Sequence, residues 1–204
     1  MRLIRYALSI GAFEFPPEGF MLRGNRLSPY LFNSGKFYTG KSIRTLARAY
    51  ATAIAGQFYP DVVFGSAYKG IPIVTALAQI LGNDVGYAFN RKEEKDHGEG
   101  GIIVGAPLQG KEVLIIDDVM TVGNSLREAR KCVLNAGGIP ISCAIAFNRQ
   151  EIGSNGSQLA TQEFKEDFDI HVCAVATLDD LICALEEGPN LGKILAYRER
   201  FGTI

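Results

Sequence analysis

Cysteine and histidine are scarce in this chain, with four of one and two of the other. Cys132, Cys143, Cys173 and Cys183 form no C-x-x-C pair, and each stands in an apolar segment. That pattern reads as buried free thiols rather than a disulfide framework. Neither His97 nor His171 has ligand spacing to a cysteine, which argues against a zinc site. No apolar run approaches the roughly 18 residues of a membrane span. The opening MRLIRYALSIGAFEF lacks the apolar core and small-residue cleavage site of a signal peptide, and reads as an amphipathic helix. The expected location is the cytoplasm, with no membrane partner. An excess of basic charge is also missing: 21 Lys plus Arg face 22 Asp plus Glu, for a formal net charge of -1. General nucleic-acid binding is therefore not expected. There is no fixed-period repeat, no low-complexity tract and no G-x-G-x-x-G after the first strand. No Ser-His-Asp or Cys-His constellation suggests a covalent nucleophile.

What is present is ordinary for a soluble globular protein. The 204 residues, 47% of them hydrophobic and 21% charged, fit one domain over 1–204 with a full core. A turn-rich piece, PPEGFMLRGNRLSPYLFNSG, separates the short apolar runs FML and YLF and suggests a hairpin. Apolar residues recur at helical spacing from Ile43 to Phe58, predicting a helix over 41–58. Strand and helix then alternate: strands at 62–64, 85–89, 113–116, 140–147 and near 170–175, helices at 70–81, 124–136, near 158–167 and from Thr177. Residues 91–101 read as a charged, Gly-containing loop, and 152–157 as a polar one. Strands alternating with helices predict right-handed βαβ units and an α/β fold on a mainly parallel sheet. The central strands of such a sheet are nearly all apolar, as VLII is.

The stretch VLIIDDVMTVGNS is the most informative. Ligands of open parallel sheets bind outside the carboxyl ends of the strands, where Asp117 and Asp118 are expected. Adjacent carboxylates repel unless solvent, a cation or donor groups absorb the charge. The vicinal hydroxyls of a ribose are such donors. Thr121, Val122, Gly123, Asn124 and Ser125 follow and open a helix. Gly123 permits a tight turn, and free amides at a helix N-terminus cradle a phosphate. Asp, Asn and Ser are also ordinary capping residues. The full order of apolar strand, acid pair, apolar residue, Thr-x-Gly-x-Ser and helix favours a sugar-phosphate site.

That order resembles the phosphoribosyl-pyrophosphate motif of type I phosphoribosyltransferases. Together with FMLRGNRLSPYLFNSG, FGSAYKGIP, FNRKEEKDHGEGG, FNRQEIG and the C-terminal YRERFG, it resembles the orotate phosphoribosyltransferase family over most of the chain. The resemblance implies a type I phosphoribosyltransferase fold with a hood of about residues 1–40 plus the C-terminal segment, and a mobile lid loop at about 90–106. It implies transfer of a phosphoribosyl group from phosphoribosyl pyrophosphate to orotate, with Mg2+, in pyrimidine nucleotide (UMP) synthesis. It also implies a homodimer in which each lid reaches the neighbouring subunit's site.

By match, Arg23, Tyr68, Lys69, Arg91, Lys92, Lys95 and His97, with Asp117, Asp118, Val119, Met120 and residues 121–125, bind phosphoribosyl pyrophosphate. Asp117, Asp118, Lys69 and Lys95 form the implied catalytic group. Leu31, Phe32, Thr121 and Arg149 are the implied orotate contacts, Arg149 pairing with the carboxylate. The metal is implied to reach the protein through substrate and water. Each stretch also has its own chemistry. Cations beside Gly98, Gly100 and Gly101 suit a lid that excludes water from an activated ribosyl carbon. Lys69 beside Gly70 offers charge and bare amides, and a guanidinium fork suits a carboxylate. Two positions depart from the family pattern. Leu31 stands where an aromatic residue is common, and Arg23 where lysine is usual, with Arg26 as the alternative. The rivals are transfer to a purine, which has no carboxylate for Arg149, and a regulator that keeps the fold without catalysis.

Overall fold

The computed structural model describes residues 2–22, 26–82, 84–95, 101–185 and 187–202, with backbone alone for 92–95 and 101. The elements run α1 (Arg2–Ser9), β1 (Phe13–Glu14), β2 (Phe20–Met21), β3 (Leu27–Ser28), β4 (Leu31–Phe32), α2 (Gly40–Ile54), β5 (Val62–Gly65), α3 (Gly70–Leu81), β6 (Gly86–Lys95), β7 (Gly101–Gly105), β8 (Glu112–Met120), α4 (Asn124–Asn135), β9 (Ile139–Asn148), α5 (Ala160–Phe168), β10 (Val172–Thr177), α6 (Leu178–Leu185) and α7 (Pro189–Phe201).

A six-stranded sheet in the order β10-β9-β8-β5-β6-β7 forms the centre. Every pairing is parallel except β6 with β7. Successive residues of a strand face opposite sides, and both sides here are dry. Val63, Leu114, Ile116, Ala144 and Ala146 join the core beneath α1, α2, α3 and α6. Val62, Phe64, Val113, Ile115, Cys143 and Ile145 join the core beneath α4 and α5. Burial on two faces is why these strands read as unbroken apolar runs. Each fully buried Leu or Ile side chain contributes roughly 1.5–3 kcal/mol.

Several boundaries differ from the sequence expectation for physical reasons. α2 stops at Ile54, short of Phe58, because Gly56 takes a positive φ of 72° soon after its end. β8 does not end at Ile116 but runs through both aspartates to Met120, since β9 keeps pairing with it as far as Met120 opposite Asn148. Residues 91–101 are not a loop throughout. β6 extends to Lys95 and pairs antiparallel with β7, a strand that the sequence pattern did not mark. Charged residues weaken a strand signal, yet they suit a hairpin at a sheet edge. The tip, 96–100, lies outside the described residues. The thiols also differ: Cys143 and Cys173 are buried, Cys132 is half-buried and Cys183 is exposed on the outer face of α6.

The expected hairpin near the N-terminus is two strand pairs. Phe20–Met21 pairs with Leu27–Ser28, and Leu31–Phe32 pairs back to Phe13–Glu14. An aromatic cluster fastens this hood to the sheet. Phe13 lies 5.1 Å from both Phe32 and Phe147, and Phe32 stacks on Phe147 at 5.6 Å. α7 adds a brace: Tyr197 meets Tyr30 edge-on at 6.3 Å, and the Ile152 amide donates to the Phe201 carbonyl at 2.8 Å. No helix among the described residues is long and apolar enough to cross a membrane.

Candidate active site

Parallel pairing of β5 with β8 ends at Gly65 opposite Ile116. Beyond that point β8 continues alone on this side, and the gap opens into a cleft of about 440 Å3. Its walls are Leu22, Leu31 and Phe32 of the hood, Ala67, Tyr68 and Lys69 of the β5–α3 turn, and residues 117–126. A second depression of about 360 Å3 lies between residues 16–19, β3 and α7, away from the aspartates.

Asp117 and Asp118 are nearly buried, at 5% and 7% exposure. Asp118 is held firmly. Its Oδ1 accepts the Val119 amide at 2.9 Å, its Oδ2 accepts the Ser34 hydroxyl at 2.6 Å, and Lys69 Nζ stands 3.7 Å from Oδ2. Asp117 Oδ1 accepts the Asp118 amide at 3.0 Å. Behind it, the Tyr50 hydroxyl donates to the Asp117 carbonyl at 2.6 Å. Burial first, then the Asp118 and Asp117 carboxylates, push the Tyr50 phenol well above its ordinary range. The tyrosine therefore stays a neutral donor that anchors the strand under the acids.

The β5–α3 turn is compressed. A Cβ at Gly70 would meet the Ile116 carbonyl at 2.8 Å, so only glycine lets the turn lie against β8. That approach brings Lys69 to Asp118 and leaves Tyr68 at 63% exposure on the rim. The Ala67–Tyr68 peptide is cis. Lys69 Nζ also donates to Asn33 Oδ1 at 3.2 Å, and the Ala67 amide donates to Asn90 Oδ1 at 3.2 Å. At the other wall Gly123 adopts φ +81° just before α4, whose first turn has no side-chain cap. Uncapped first-turn amides and the positive helix end suit an anion.

The structure thus brings together Asp117, Asp118, Val119, Met120, Thr121, Val122, Gly123, Asn124, Ser125, Tyr68, Lys69, Leu31 and Phe32. Arg149 is not among the cleft-lining residues. It is 2% exposed, and its guanidinium is engaged by Glu151, Ser28 and the Tyr30 ring. Arg91 lies on β6. Lys92 and Lys95 share that strand, but their side chains are not described, and Arg23 and His97 lie outside the described residues. Arg26, the alternative to Arg23, donates to Glu151 and to the Ile152 carbonyl instead of reaching the cleft. The sequence reading missed Ser34, Asn33, Asn90, Tyr50 and Leu22. The FNSG run that follows Leu31 was the available signal for two of them.

A parallel sheet with an acid pair and a helix N-terminus at one strand end defines the class as a phosphoribosyltransferase. The family described as phosphoribosyl transferase domain matches residues 36–178. The chain is 50% identical to an orotate phosphoribosyltransferase of Nitrosococcus oceani, over 98% of this chain and 94% of that one. It is 46% identical to the corresponding Xylella fastidiosa protein, over 99% and 95%. The solved orotate phosphoribosyltransferase of Francisella tularensis superposes with a TM-score of 0.83 at 34% identity, covering both chains fully. Within its class, the chain belongs to the orotate phosphoribosyltransferase family.

Proposed function

We propose that this protein transfers the 5-phosphoribosyl group of phosphoribosyl pyrophosphate to orotate, releasing orotidine 5'-monophosphate and pyrophosphate, in pyrimidine nucleotide synthesis in the cytoplasm. The single observation that carries the reading is the cleft in which a buried acid pair faces an uncapped helix N-terminus.

Asp117 and Asp118 accept the ribose hydroxyls. A carboxylate offers about four lone-pair sites, and the Val119 amide and Ser34 hydroxyl leave Asp118 with acceptor capacity in a fixed orientation. Residues 121–125 hold the 5-phosphate through amides and hydroxyls. Lys69 turns from Asp118 to the pyrophosphate, and Arg23, Arg91, Lys92, Lys95 and His97 supply further cations to it. Leu31, Phe32 and Thr121 receive the base. As the bond to pyrophosphate breaks, positive charge grows on the sugar. The two carboxylates balance it, so the protein's contribution is electrostatic and positional.

Mg2+ fits this site as a substrate-borne ion. Among the described residues no group of three or more His, Cys, Asp or Glu could cage a metal. Magnesium commonly keeps its waters and binds through substrate phosphates and one or two carboxylates. Asp117 and Asp118 are the oxygen donors suited to hold it through water. When bound, the ion neutralises charge on the pyrophosphate. The functional unit is a homodimer in which the lid segment is shared between the subunits.

The test is an absorbance assay with phosphoribosyl pyrophosphate and magnesium, run with orotate beside adenine, hypoxanthine and uracil. Orotate alone should be consumed. Consumption of a purine without orotate would overturn the base assignment.

A further inference from the structure

Beside the base end of the cleft lies a buried ionic cluster centred on Glu151. Asn148 pairs with Met120, a cleft residue, so the segment that follows β9 begins at the cleft's edge. Glu151 is 4% exposed and accepts hydrogen bonds from three parts of the chain. Arg149 Nε donates at 2.6 Å, Arg26 Nη1 of the hood at 3.1 Å and the Tyr197 hydroxyl of α7 at 2.9 Å. Arg149 Nη2 donates to Ser28 Oγ at 2.7 Å, and its guanidinium lies 4.2 Å from the centre of the Tyr30 ring. Tyr30 leads directly into Leu31 and Phe32 of the cleft wall.

Two physical consequences follow. A guanidinium buried this deeply is tolerated only if its charge is answered and its donors find partners; Glu151 answers the charge, and Glu151 and Ser28 each take one donor and together fix the plane of the fork. The charges, however, do not cancel. Two arginines share one carboxylate, and among the described residues neither ion-pairs with a second acid. One positive charge is left over beside the base wall, where a ligand carboxylate could answer it.

We infer that Glu151 is a positioning residue for base specificity: it holds the Arg149 fork in the orientation that selects a carboxylate-bearing pyrimidine over its neutral analogue. This deepens the orotate reading above and rests on it.

Steady-state kinetics of Glu151→Gln test it, because glutamine keeps the shape and one acceptor but loses the charge. The KM for orotate should rise roughly tenfold, since charge-assisted contacts to Arg149 are lost. The KM for phosphoribosyl pyrophosphate should stay within about twofold. Glu151→Asp, which keeps the charge, should recover part of the loss. In an Arg149→Lys background Glu151→Gln should add less than about threefold, because the two act as one unit. A folded Glu151→Gln enzyme with an unchanged orotate KM overturns the inference. So does a loss of kcat and thermal stability with both KM values unmoved. If Glu151→Gln does not fold, Tyr197→Phe and Ser28→Ala decide: each should raise the orotate KM alone by about threefold, and no change in either overturns the proposal. Failure of the wild-type enzyme to consume orotate sinks the underlying functional reading, whatever the variants do.

Discussion

Asp118 is set in place before any ligand arrives. Ser34 lies 84 residues away in sequence, yet its hydroxyl fixes one carboxylate oxygen while the Val119 amide fixes the other. Replacing Asp117 or Asp118 by Asn keeps the volume and removes the charge. We expect kcat/KM to fall about a hundredfold, or ~3 kcal/mol of transition-state stabilisation. Thermal unfolding of both variants should stay close to wild type, and a large drop in melting temperature with intact turnover would refute the assignment. The acid pair was legible because it stands within a longer order of apolar strand, two acids, apolar residue, Thr-x-Gly-x-Ser and helix; the pair by itself is ordinary capping chemistry. Ser34, Asn33 and Asn90 were not, because short polar residues in turns have many ordinary uses and their partners are remote. Arg149 shows the opposite limit. The family resemblance implied a carboxylate ligand for it, but nothing local announced that its fork would be buried and clasped by Glu151 and Ser28.

Two elements set the walls of the cleft. The turn into α4 depends on Gly123, whose φ of +81° is costly for any side chain. Gly123→Ala should cost ~1–2 kcal/mol from backbone strain, and its Cβ would also meet Met120 Cε at 2.6 Å. Calorimetry should show affinity for phosphoribosyl pyrophosphate weakened well beyond the effect on folding. The hood hangs on the ring cluster around Phe147, which is fully buried. Phe147→Ala should destabilise by about 3–5 kcal/mol, read as a lower denaturation midpoint in urea. The strand and helix rhythm from Val62 onward was readable because doubly covered strands leave long apolar runs. The β6–β7 hairpin was not, since its pairing is supplied by a neighbouring strand and not by its own charged residues.

At the scale of the molecule, three of the eight tyrosines lie inside. Burial holds the Tyr30 and Tyr50 phenols well above the usual range, and burial with the Glu151 carboxylate pushes Tyr197 up to about 12. Their folded-state values exceed the unfolded value near about 10. Their neutral forms therefore stabilise the fold fully below that pH, and the contribution is lost as pH rises through about 12 for Tyr197. Phenolate absorbance and circular dichroism recorded together across this range should show these three ionising in step with unfolding. Ionisation of all eight while the dichroism is unchanged would contradict the burial. The order of the six strands was beyond the sequence, because it is fixed by contacts between segments far apart in the chain.

The early end of β5 relative to β8 leaves a notch in the sheet. Its depth is set by how few residues link Gly65 to Gly70, so length matters there as much as chemistry. Two extra residues in that link would let the chain fill the vacancy like a plug. Such an insertion should abolish turnover while the far-ultraviolet spectrum and the melting curve remain those of an ordered protein.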